Sequence, residues 1–155
     1  MSITAQIAKQ LRDVHFGGNW TAVNLKDQLS DVDWQQATTK VGSFNTIALL
    51  VFHTNYYIDV VSRVIQNKPL DGKDKESFNL PPIQSEEDWQ ALLNKTWSDA
   101  ENFSKLIESM PESQLWEPFA TGKYGNVYRN LTGIIEHYHY HLGQIVLIKK
   151  IIKNK

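Results

Sequence analysis

The sequence predicts an all-α protein, a four-helix bundle, on three observations. Four long segments repeat their apolar residues at intervals of three and four, the period of one buried helix face. The period-two alternation that marks a strand is almost absent. The segments are also bounded by cap residues, glycines and prolines where a helix starts or stops. Amphipathic helices without a sheet to cover bury their faces on one another, and a bundle is the simplest arrangement that does so. The length of 155 residues suits one domain spanning 1–155 with its own hydrophobic core.

The first helix is expected to begin at Ser2, a good N-cap, with Ile3, Ile7, Leu11 and Val14 on one face. Gly17-Gly18 interrupts the pattern, which resumes through Trp20, Val23, Leu25 and Leu29. This reads as one kinked helix or as two joined at the glycines. Residues 31–42 form a polar connection containing Trp34. A second helix is expected from near Ser43 or Asn45 to Asn67-Lys68-Pro69, with Ile47, Leu50, Thr54, Tyr57, Val61 and Val64 on its inner face. Its β-branched content is high, but the run is too long for a strand and does not alternate. Residues 69–84 read as a long loop, of the kind that often shapes a site.

The third helix has Ser85 as N-cap and Asp88 at N3, in the manner of a capping box. Trp89, Leu92, Leu93, Thr96, Ala100, Phe103, Ile107 and Met110 follow, and Pro111 stops it. A loop rich in glycine and aromatic residues covers 116–125. The fourth helix runs from Val127 to Ile152 with Leu131, Ile134, Tyr138, His141, Ile145, Ile148 and Ile152 along its seam. No internal repeat and no low-complexity tract is present.

Composition excludes several classes of function. The formal charge is −1, from 16 basic and 17 acidic residues, which leaves no electrostatic footprint for nucleic acid or an anionic membrane. Lys149, Lys150, Lys153 and Lys155 make a basic end that complements the C-terminal dipole of the last helix. The chain has no cysteine, so disulfides, thiolate nucleophiles and cysteine-ligated metals are out. The N-terminal stretch lacks the basic and apolar regions of a signal peptide. No apolar run reaches membrane-spanning length. A soluble, cytoplasmic protein is expected.

The most informative stretch is Glu136-His137-Tyr138-His139-Tyr140-His141-Leu142-Gly143-Gln144. Residues i and i+4 of a helix lie about 40° apart, so His137 and His141 share a face. Two stacked imidazoles make half a site for a divalent metal. The alternative is that each is a hydrogen-bonded core residue, since a buried polar ring needs a partner. His53, on the matching flank of the second helix, offers a third ligand if the two helices touch at that depth. Three neutral imidazoles leave coordination positions open, and zinc, nickel or iron(II) accepts such a set. His139 lies about 200° around the helix from its neighbours and is expected to face away. His15, next to the glycine break, reads as a polar residue at the kink, with a fourth ligand or a proton carrier as the alternative.

Other chemistries fit less well. The zincin pattern needs Glu after the first His, where Tyr138 stands. Di-iron carboxylate bundles need paired Glu-x-x-His motifs, and only Glu136-x-x-His139 is present. There is no G-x-S-x-G elbow and no phosphate-binding glycine loop. Trp20, Tyr56, Tyr57, Tyr124, Tyr128, Tyr138 and Tyr140 read first as core or interface residues, and second as the lining of a small-molecule pocket.

Asn45 to His53, the HxxxH of His137 and His141 followed by Leu142-Gly143-Gln144, and Phe16-Gly17-Gly18-Asn19-Trp20 together resemble the DinB/YfiT-like superfamily over nearly the whole chain. The resemblance implies an up-down-down-up four-helix bundle, often a homodimer. It implies one divalent metal, zinc or nickel, on His53, His137 and His141. It further implies an S-transferase or isomerase that acts on a small molecule with a low-molecular-weight thiol cosubstrate. Relatives often carry a second His just before the last ligand, where this chain has Tyr140, a change that bears on the groups behind the ligands.

Three functions follow as expectations. The first is a thiol-dependent transferase in which the metal lowers the pKa of an external thiol. The second is metal-assisted hydrolysis, with Glu136 or His15 as the base. The third is a non-enzymatic metal-binding bundle, which would have a closed, fully protein-ligated site.

Overall fold

A computed structural model describes residues 1–154. Six α-helices and two 3-10 turns make up the regular structure, with no β-strand among the described residues. The helices are α1 (Ile3–Phe16), α2 (Leu25–Leu29), α3 (Trp34–Thr38), α4 (Ile47–Ile65), α5 (Glu86–Ser109) and α6 (Val127–Lys153). The 3-10 turns are Asp74–Phe78 and Glu112–Trp116.

The four long helices are those with sustained apolar periodicity. α1 packs on α5 and α6, and α4 packs on the same two. Their inner faces form one core that includes Leu11, Val14, Leu50, Ile58, Trp89, Phe103, Leu131, Tyr138 and Ile145. Arg12 ties α1 to α5 through Glu101 and Glu108. Among the described residues no helix is long and apolar enough to cross a membrane.

Local chemistry sets the helix starts. Ser2, Asn24, Asp33, Thr46, Ser85 and Asn126 each accept a backbone N–H with the side chain, satisfying a donor that the first turn leaves free. The full capping box is on α3, between Asp33 and Gln36. On α5 the expected box is only half formed: Ser85 Oγ accepts from Asp88 N–H, but the Asp88 carboxylate accepts from Gln84 N–H instead of Ser85.

The first long segment breaks more completely than a kink. α1 ends at Phe16, and Gly17 and Gly18 take φ of 111° and 98°, values that L side chains rarely adopt. Helix resumes only at Leu25. Trp20 is therefore not on a buried face; it is 99% exposed. The polar connection 31–42 contains α3, which rests on α4 and α5. The C-terminal lysines do more than complement a helix dipole. Lys149 and Lys153 both pair with Asp31, holding the α2–α3 connection against the end of α6. Lys155 lies outside the described residues.

Candidate metal centre

α4 and α6 pack side by side, and each delivers histidine at the depth where they meet. His53 projects from the middle of α4; His137 and His141 project from successive turns of α6. The ligand nitrogens of all three lie within 4.8 Å of one another, a group able to hold a metal ion. His53 Nε2 stands 3.1 Å from His137 Nε2. Two nitrogens bound at 2.0–2.1 Å to one tetrahedral zinc stand about 3.3 Å apart. The observed pair therefore fits a cation of that size.

The hydrogen bonds behind the rings fix which nitrogen faces inward. Ser77 Oγ donates to the Asp74 carbonyl at 2.6 Å, so its hydrogen is committed and it accepts from His53 Nδ1–H at 2.8 Å. His141 Nδ1 lies 2.7 Å from Gln144 Oε1, which only accepts, so His141 Nδ1 also carries its proton. In both rings the Nε2 lone pair is left for the centre. Imidazole ligands are commonly held in this way by a partner on the other nitrogen.

Burial keeps the three rings neutral, the form that ligates. Desolvation lowers the pKa of all three, to about 4 for His137, whose neighbours His141 and His53 push it in the same direction. His53 is 6% exposed, while His137 and His141 are half-buried. Phe78 stacks on His53 with ring centroids 4.4 Å apart, and Tyr57 stands edge-on to His137 at 5.2 Å. Tyr57 donates its hydroxyl to Asp74. Desolvation and that carboxylate hold the phenol at about 12, protonated at neutral pH. Among the described residues no fourth His, Asp or Glu joins the cluster.

The other candidates are placed elsewhere. His15 is fully buried near the end of α1, donates Nδ1–H to the Leu11 carbonyl at 2.7 Å and packs on the Tyr138 ring at 4.2 Å. It is a core residue outside the cluster. His139 turns away from the pair, lining a depression with Trp20 and Asp13. Glu136 is exposed but borders the same cavity as His137. That cavity, of about 620 Å³, lies between Tyr57 and Val61 of α4, the outer face of α6, and Lys123 to Gly125.

Ser77, Asp74 and Phe78 had no individual signal in the sequence. Their segment reads as loop, and only its length hinted at a role. Gln144 lies inside the motif, and its role at His141 depends on the i, i+3 spacing along α6. No family model matches the chain, and no curated protein or solved structure matches it either.

Proposed function

We propose that the chain is a divalent-metal-dependent enzyme of the DinB/YfiT-like superfamily, a four-helix bundle with one metal on His53, His137 and His141. Its reaction is S-transfer or isomerisation of a small molecule with a low-molecular-weight thiol as cosubstrate. The observation that carries the metal reading is the approach of the three nitrogens, with the outer nitrogens of His53 and His141 committed to Ser77 and Gln144. When bound, the cation would supply Lewis acidity and lower the pKa of a thiol brought to it.

The chain's own residues have defined parts in this reading. His53, His137 and His141 would hold the cation, and His137 also lines, with Tyr57, the cavity that would take a substrate. Phe78 shields His53 from solvent on one face. Among the described residues the cluster offers three histidines and no fourth His, Asp or Glu, which favours an open catalytic centre over a closed structural one. The thiol assignment and the homodimer rest on the family resemblance; the lack of cysteine requires any thiol nucleophile to come from outside the chain. Hydrolysis is the second reading, favoured by Glu136 at the border of the cavity.

The test is turnover of a small electrophile by zinc- or nickel-loaded protein with and without added thiol. Thiol-dependent turnover that disappears in His137→Ala is expected. Turnover undiminished without thiol assigns hydrolysis instead, and turnover undiminished without metal refutes both readings.

A further inference from the structure

The cavity beside His137 carries chemistry that the metal centre does not use. At its far end stand Arg129, on the first turn of α6, and Lys123, in the preceding loop. Among the described residues neither takes part in an ion pair, although the structure pairs Arg12, Arg63, Lys149 and Lys153 with carboxylates. Gly125, in the same loop, has φ of 81°, and a Cβ there would stand 2.8 Å from Arg129 Cδ. The missing side chain thus leaves the channel in which the Arg129 stem lies.

Gly133 lies midway between Arg129 and His137, one turn from each. A glycine inside a helix weakens it relative to alanine, so its presence calls for a local reason. Close approach of another segment is not that reason, because a Cβ at Gly133 would meet nothing within 4 Å. The open space it faces is the cavity itself, which it lines together with Tyr57 and His137. From Arg129 to His137 the helix rises about 12 Å, the span of an extended small molecule. Glu136 is the one acidic residue among the lining groups. It lies next to His137, at the end opposite the cations.

We propose that this cavity binds an extended small molecule whose carboxylate tail is held by Arg129 and Lys123, with Gly133 providing the room for its body beside His137. The proposal rests on the three-histidine reading for the reacting end only. An Arg fork matches a carboxylate with two parallel hydrogen bonds, and Arg129 and Lys123 are both exposed and free to reach one.

Calorimetry with S-methylglutathione and its diethyl ester tests this without relying on the metal, because the blocked sulfur cannot form a thiolate. The acid is expected to bind about ten-fold more tightly than the ester, an advantage lost in Arg129→Gln. Gly133→Leu is expected to weaken both ligands at least ten-fold, while Gly133→Ala melts at a higher temperature than the wild type. Equal binding of acid and ester, no binding of either, or full binding to Gly133→Leu would overturn the proposal. Metal content measured on the same samples tells this outcome apart from failure of the metal reading, since a protein can bind the acid without metal, or metal without the acid.

Discussion

Single side chains decide whether three histidines make a ligand set or merely a cluster. Ser77 is the clearest case, since its hydroxyl both fixes the His53 tautomer and aims the ring. Ser77→Ala is expected to weaken zinc binding about 10–100-fold, as loss of such orienting partners typically does, with helicity by circular dichroism unchanged; unchanged affinity would remove the orienting role. His15 behaves differently because it is buried away from the centre. Burial lowers its pKa from 6.5 to about 4, so the unfolded chain takes up the proton first as pH falls. The stability that neutral His15 confers is complete above about pH 6.5 and is lost as pH falls to 4. At 1.36 kcal/mol per pH unit, this amounts to about 3 kcal/mol. Denaturant melts of His15→Leu between pH 4 and 7 should show a correspondingly flatter pH dependence than the wild type, and an unchanged slope would contradict the assignment. At this scale the sequence was partly legible. The HxxxH spacing put two of the three clustered histidines on one helix face, whereas the partner of His53 comes from a segment with no periodic signal at all.

At the scale of elements, what the sequence revealed depended on length. α4, α5 and α6 run for 19, 24 and 27 residues, long enough for a repeating apolar face to emerge, and their expected bounds lie within a few residues of those observed. α2 and α3, of five residues each, hold hardly more than one turn and leave no period to read. The run through Trp20 imitated a continuing helix because Val23 follows it by three residues and Leu29 follows Leu25 by four. The positive φ values at Gly17 and Gly18 end the helix regardless. These short elements still matter for packing. Trp89 of α5 is fully buried and donates Nε1–H to the Val32 carbonyl at 2.7 Å, anchoring the connection between α2 and α3. Trp89→Phe keeps most of the apolar bulk but leaves that carbonyl unpaired, and should cost about 1–3 kcal/mol in denaturant melts. A neutral result would mean that the anchor contributes nothing.

For the whole molecule, the arrangement of the long helices is what converts separate sequence signals into a site. His53 and His137 are 84 positions apart in the chain, and nothing local to either indicates the other. They meet because α4 and α6 bury their inner faces in one core, which brings the middle of α4 to the depth of the HxxxH turn. The 3-10 turn at Asp74–Phe78 then closes over His53 from outside. Fold class was legible from periodicity, but the contact between helices was not, because an amphipathic stripe specifies burial without naming its neighbour. The claim on which the account turns is that this contact creates one shared cation site. Equilibrium dialysis of the tag-free protein against zinc, with His53→Ala and His137→Ala alongside, measures it directly. The account predicts one zinc bound per chain in the wild type and at least a 100-fold loss of affinity in each variant. A wild type that binds no zinc, or a His53→Ala protein that binds it as tightly as the wild type, would contradict it.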